Sequence, residues 1–243
     1  MMATGHAISG AVGWLGLCLA AGLVDRHPTP VQITAGAAIA AGFAIFPDID
    51  HPKSRVARTL GWFTRALARV FTFICDLIRD ATCGHCATPG TYGHRTLSHT
   101  AVFAVLVGAG VCLAGSRGNL VAAAIVVGIG AGLAVAGLTG SRVGTIVIGV
   151  AAGIAVHQLG GGVDWWWLGV PVGWGILAHA LGDGLTEQAV PLWWPVKIRG
   201  CTWRRVGVPR WLRFRTGGWV ERVLSVVLVG LGAVAGWLLL TGA

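Results

Sequence analysis

Charge is scarce in this chain. Only 11% of its 243 residues are charged and only nine are acidic, whereas soluble domains carry about 25% charged residues. That scarcity excludes an ordinary soluble globular protein. Disorder needs low hydrophobicity, and 55% hydrophobic residues exclude it. Six cysteines scattered through so long a chain are too few for a disulfide scaffold. Also missing are the alternating segments of about ten residues that mark a transmembrane barrel. What is present is unbroken apolar sequence, 39 glycines and a mean hydropathy of +0.74.

Seven apolar segments are expected to span a membrane as helices: Ala7 to Val24, Val31 to Phe46, Thr100 to Gly115, Asn119 to Leu138, Val143 to Leu159, Trp166 to Leu185 and Val223 to Leu240. The second and third are short against the usual span of about 17–25 residues. The fold class expected is all-α: a polytopic helical membrane protein of about seven spans, one domain over residues 1–243. The first segment lacks the positive flank of a signal peptide. Small residues four apart, such as Gly128 and Gly132, Gly149 and Gly153, and Gly232 and Gly236, suit close helix packing. Trp165 to Trp167, with Trp193 and Trp194, suit interfacial belts.

With the N-terminus inside, sixteen of the eighteen Lys and Arg fall on one side: in the basic loops 47–99 and 186–222, and at Arg142. Only Arg26 and Arg117 fall opposite. Such a bias makes those loops cytoplasmic. Attraction to anionic membrane lipid accounts for the net charge of +9, and nucleic acid is not expected as a partner. Residues 55–79 read as a helix lying on the membrane. At about 100° per residue, Arg65 and Arg69 fall within about 20° of Arg58. Val56, Leu60, Phe63, Leu67, Val70, Phe71, Ile74 and Leu77 fill the opposite arc. The alternative is packing of that apolar arc against the bundle.

Ionisable groups at span edges are costly, which makes them functional candidates. His6 opens the first span in Thr4-Gly5-His6. Asp48, Asp50 and His51 close the second in Pro47-Asp48-Ile49-Asp50-His51. His94, Arg95, Ser98 and His99 precede the third, and His179, Asp183 and Thr186 end the sixth. The topology, fixed by Lys and Arg alone, puts all four stretches at the cytoplasmic boundary, where they can converge on one pocket.

Imidazole and carboxylate are ligands of zinc and related ions. His179 and Asp183 are four apart on one helical face and can point at one ion. Asp48 and Asp50 could share ions if the chain there is extended. The candidate metal ligands are His6, Asp48, Asp50, His51, His94, His99, His179 and Asp183. These exceed the needs of one tetrahedral ion, so two zinc ions, or one with a rich set of outer partners, are expected. His27 and His157 lie toward the other side and read as solvated. Arg95 suits bidentate grip of a phosphate; the alternative is a charge anchoring the loop inside. Cys83 and Cys86, with His85 between them, offer half of a structural zinc site. Cys75 or Cys201 could complete it, but a reduced loop without disulfides is the expectation.

Taken in order, Thr4-Gly5-His6, Phe46-Pro47-Asp48-Ile49-Asp50-His51, His94-Arg95-x-x-Ser98-His99 and His179-x3-Asp183-x2-Thr186 with Pro195 downstream resemble the LexA-regulated, inner-membrane metal-dependent hydrolases. That family is similar to zinc-dependent phospholipase C and related single-strand nucleases. The resemblance implies a multi-pass protein of the bacterial inner membrane. It also implies His6, Asp48, Asp50, His94, His99, His179 and Asp183 as ligands. The family usually has a glycine soon after the last Thr; here Glu187, Gln188 and Ala189 follow Thr186.

The function expected is a phosphoesterase acting on a lipid or lipid-linked phosphate at the cytoplasmic face. Asp48 or Asp50 would take a proton and Arg95 would hold the phosphate. One alternative is an ion or metal transporter, although the outward halves of the spans offer no polar route. Another is a non-enzymatic anchor whose basic loops recruit a partner.

Overall fold

The computed structural model describes residues 1–51, 54–59, 61–83 and 94–242. Among them are nine α-helices and no strand. They are α1 (Ala3–Gly22), α2 (Pro30–Phe43), α3 (Arg55–Arg58), α4 (Trp62–Thr82), α5 (Ala101–Ser116), α6 (Leu120–Thr139), α7 (Arg142–Leu159), α8 (Gly169–Gly184) and α9 (Trp219–Thr241). Local chemistry sets several ends. Thr29 and Gln32 form a capping box before α2, with Pro30 in its first turn. Thr100, Asn119 and Ser141 each accept a backbone N–H at the starts of α5, α6 and α7. Gly140, with φ of 71°, ends α6 in the left-handed region.

Every apolar segment expected to span is helical. By length and composition, α1, α6, α7, α9 and the stretch Pro30–Asp50 can cross a membrane. Helices α5 and α8 have 16 residues each. At 1.5 Å per residue that is about 24 Å, short of the hydrocarbon thickness of about 30 Å.

Helix α2 is central, packed on α1, α6 and α8; α5 lies on α8, α7 on α6, and α9 on α1. Glycine permits these approaches. A Cβ on Gly42 would meet the Gly130 carbonyl oxygen of α6 at 2.0 Å, and one on Gly10 would meet the Ala40 oxygen at 2.5 Å. Gly128 and Gly149 likewise face each other's backbone across α6 and α7, whereas Gly236 meets nothing. Gly42→Val therefore forces backbone apart and is expected to cost about 1–3 kcal/mol or more. Thermal inactivation in detergent checks this, with Gly236→Val at an unchanged midpoint as the control.

Three expectations need correction. The surface helix is not continuous over 55–79. It breaks into α3 and α4 at Gly61, whose φ of 65° no helix can hold, and Leu60 lies outside the described residues. Helix α4 has three faces at about 100° per residue. Phe63, Leu67, Val70, Ile74 and Leu77 are exposed apolar residues, Arg65 and Arg69 mark a charged edge, and Thr64, Ala68, Cys75 and Arg79 are buried. It thus both packs on the bundle and presents an apolar face outward. Second, of the tryptophans expected in interfacial belts, Trp165 and Trp167 are buried inside the protein, Trp165 donating its indole N–H to the Gly160 carbonyl, while Trp166 and Trp193 are exposed. Third, the basic loop expected over 186–222 carries local structure, and α9 begins within it at Trp219. Isolated bridges join Thr186 to Phe214 and Val190 to Val206, and Trp203 donates to Thr82 Oγ1 at the end of α4.

Candidate metal centre

The starts of α1, α5 and α9 and the ends of α2, α6 and α8 meet at one end of the bundle. Thr4 donates to the Gly137 carbonyl, His179 to that of Ala44, and Met2 N–H to Glu221 Oε1. The four polar stretches therefore converge, through elements far apart in sequence. His6 lies in the first turns of α1. Asp48 and Asp50 occupy a 3-10 turn over Phe46–Asp50, His99 another over Leu97–His99, and His179 with Asp183 the last turns of α8. His6, Asp50, His99, His179 and Asp183 are all buried; Asp48 and His94 keep some exposure.

Hydrogen bonding fixes the imidazole tautomers. His179 Nδ1 lies 2.7 Å from the Ala44 carbonyl, which can only accept, so Nδ1 is the donor, and in the neutral ring Nε2 carries the lone pair. Ser98 donates its one hydroxyl proton to Asp50 Oδ2 at 2.7 Å. Its oxygen must then accept from His99 Nδ1 at 2.9 Å, which leaves His99 Nε2 bare as well. His94 Nδ1, 2.7 Å from Asp50 Oδ1, is a donor by the same argument. Burial holds His99 well below the usual imidazole range, so its ring is neutral.

In the neutral tautomers these partners select, the lone pairs of His99 Nε2 and His179 Nε2 face each other at 3.0 Å, the arrangement in which one cation can take both. Asp183 Oδ2 completes a triangle, 3.6 Å from the first and 3.7 Å from the second. Donors bonded to one tetrahedral ion at about 2.0–2.1 Å stand about 3.3–3.4 Å apart, so the spacing fits. Three donor groups can be drawn among the described residues: His99, His179 and Asp183; His6, Asp48 and His179; and Asp48, His94 and His99. The His6 ring stacks on His179 at 3.8 Å; its Nδ1 is buried without a hydrogen-bond partner among the described residues, and its Nε2, 3.3 Å from Asp183 Oδ1, makes no hydrogen bond of good geometry. Orphaned buried polar atoms are costly, and a cation would relieve them.

Asp50 and His51 stand outside these groups. Both Asp50 oxygens face donors: His94 Nδ1, Ser98 Oγ and the Arg95 backbone N–H. His51 sets its ring edge-on to His94 at 4.7 Å. Arg95 is buried, so it does not reach out to lipid as a loop anchor would. Its Nη2 lies 2.9 Å from Asp183 Oδ2, its Nη1 donates to Thr186 Oγ1 at 3.4 Å, and its Nε has no partner among the described residues. Its φ of 61° is a strained left-handed conformation, which occurs at functional sites.

The turn after Thr186 keeps the left-handed residue that a glycine would supply: Ala189 has φ of 52°. Composition could not reveal this, because alanine rarely adopts that conformation. Sequence reasoning also missed Glu221. It is buried and accepts from Met2 N–H and Gly217 N–H, tying α9 beside the cluster.

His27 and His157 are exposed and away from the cluster. Cys75 is buried and its thiol is pushed up to about 11 by burial, which suits no thiolate ligand. Of the suggested second zinc site, His85 and Cys86 lie outside the described residues. Cys201 is disulfide-bonded, against the expectation of reduced thiols, and is not free to bind metal.

No curated protein and no solved structure matches the chain. A family model does match, over residues 1–241, and so takes in all four polar stretches and every helix packed around them. An inner-membrane location is what the motifs and the long apolar helices led to, and the matching description states it; the chain belongs to the YdjM inner membrane protein family.

Proposed function

We propose that this protein is a metal-dependent hydrolase embedded in the inner membrane, cutting a phosphoester of a lipid or lipid-linked substrate. The observation that carries the reading is the close approach of two imidazole nitrogens, His99 Nε2 and His179 Nε2, with Asp183 beside them. Asp48, His6 and His94 would extend the ligand set to one or two divalent ions, zinc by donor type. Such an ion, when bound, supplies Lewis acidity at a phosphoryl oxygen and a nucleophile at neutral pH.

The chain's own residues divide the remaining work. Asp50 and Ser98 hold His94 and His99 with Nε2 turned inward. Asp48 is the one cluster carboxylate that keeps open exposure, and it would take a proton on Oδ1 or Oδ2. Arg95 would turn its free Nε edge to a phosphate. The cluster lies at the helix ends, which suits a substrate at headgroup depth. Charge bias favours the cytoplasmic side for that end. Sixteen cationic side chains on this side outweigh the Cys201 disulfide, which alone favours an oxidising compartment.

The test is zinc-loaded protein in vesicles of phosphatidic acid and phosphatidylglycerol, with nucleotides and single-stranded DNA as competing substrates. Expected are released phosphate or phosphorylated headgroup, loss of turnover on chelation, and turnover in Arg95→Lys at least about tenfold lower at equal metal content. Cleavage of nucleic acid alone would move the reading to a nuclease. Tightly bound metal with no turnover of any substrate would end the hydrolase reading.

A further inference from the structure

Helices α8 and α9 both pack on α1, and a groove of about 510 Å³ lies between them. Trp174 and Leu181 line it from α8, Leu224 and Leu228 from α9, and Ser9 from α1. No charged side chain lines it among the described residues. Its two polar side chains are already engaged. Ser9 Oγ donates to the His6 carbonyl and Trp174 Nε1 to that of Gly10. A molecule in the groove would therefore meet an apolar wall, with no free side-chain donor to reward a polar group.

The groove follows α8 from Trp174 to Gly184. At 1.5 Å per residue that is about 15 Å, the hydrocarbon depth of one leaflet. Leu181, an exposed apolar residue, stands at its side, in a bundle whose α1 and α9 can cross a membrane. At the end of α8, residues 206–208 cover it, and Val208 N–H fastens them to the Gly184 carbonyl at 3.1 Å. The same end meets the metal centre. Met1 and Gly182 line the groove there. A Cβ on Gly182 would stand 2.8 Å from Met1 Sδ and 3.3 Å from His6 Nδ1. With glycine at 182, the groove wall comes within van der Waals reach of a candidate ligand, and the flexible Met1 side chain stands at the junction.

We propose that this groove receives one acyl chain of a membrane lipid whose phosphorylated headgroup lies at the metal centre. It rests on the proposed function only for the headgroup's place. The chain would leave the bilayer sideways, between α8 and α9, and bring its headgroup to the His6 side of the cluster. Lipid tails are as apolar as leucine, so moving a chain from bilayer to groove gains little. The groove thus sets position, and the headgroup supplies the selection. That division makes a lipid of this site distinguishable from any lipid that merely fills a gap between helices.

Photolabelling of the zinc-loaded protein in phosphatidylcholine nanodiscs tests it. The probes are phosphatidic acid and diacylglycerol with the same diazirine-bearing acyl chain, and labelled residues are mapped by mass spectrometry. Expected is label on the groove faces of α8 and α9, at least about tenfold stronger from phosphatidic acid, as one charge-assisted hydrogen bond at the headgroup would give. Leu228→Trp narrows the groove and should lower this labelling, whereas Val227→Trp, on the exposed face of α9, should not. His99→Ala disturbs the centre and not the groove, and should bring phosphatidic acid down to the level of diacylglycerol. The contrast between the two probes needs no variant, so it stands even if one misfolds. Equal groove labelling by both probes in the wild type, label confined to α4, α6 and α7, or an unchanged pattern in both Leu228→Trp and His99→Ala would each overturn the proposal. The expected labelling without turnover of phosphatidic acid would uphold the lipid site and end the hydrolase reading alone.

Discussion

His179→Ala is expected to strip the purified protein of its bound zinc, measured by elemental analysis, while His157→Ala leaves the content unchanged. The two residues share a type and differ in setting. His179 turns a bare, buried Nε2 toward His99 Nε2 and Asp183 Oδ2, whereas His157 is exposed on α7. A ligand that belongs to two of the three donor groups cannot be replaced by a neighbour. His99→Ala should match His179→Ala for the same reason. Asp50→Asn provides the finer discrimination. If Asp50 acts by holding Nδ1 of His94 and, through Ser98, of His99, its loss should weaken metal affinity by about 10–100-fold and no more. If Asp50 is itself a ligand, Asp50→Asn should lose as much zinc as His179→Ala. Equal zinc in wild type, His179→Ala and His157→Ala would dispose of the metal centre altogether.

The difference between Asp48 and Asp50 marks where sequence reasoning stops. Convergence of the four polar stretches was legible, because charge bias orders the spans without reference to any His or Asp. So was the pairing of His179 with Asp183, which follows from helical period. The division of labour between two carboxylates two residues apart was not. It depends on a 3-10 turn that buries Asp50 against Ser98 and leaves Asp48 partly open, and side-chain type carries no trace of that. The break at Gly61 was hidden for a similar reason, since glycine is tolerated within helices at about 1 kcal/mol and only tertiary packing selects the turn. The central packing at Gly42 and Gly130 joins two helices 88 residues apart, so no local spacing could announce it.

Asp183→Leu is expected to destabilise the fold by about 3–5 kcal/mol, and metal depletion is not the main cause. Asp183 and Arg95 are both buried, with Oδ2 and Nη2 2.9 Å apart. Among the described residues, the one hydrogen bond from the Arg95 side chain goes to Thr186 Oγ1 at 3.4 Å, and its Nε has no partner there. Without the carboxylate, a guanidinium that cannot lose its proton stays in a low-dielectric site with a single hydroxyl for company. The Met1 amine, which also meets Asp183 Oδ1, loses its acceptor too. The reverse truncation, Arg95→Met, should cost less, because the carboxylate keeps the amine and the facing imidazoles. The double variant Arg95→Met, Asp183→Leu separates an ion pair from a ligand. It should recover a large part of what Asp183→Leu loses, because it removes the stranded charge. Excess zinc should recover little. Thermal inactivation in detergent, with and without added zinc, reads all four proteins. Full rescue of Asp183→Leu by zinc, with no gain from the second substitution, would assign Asp183 wholly to the metal and leave Arg95 without a structural role.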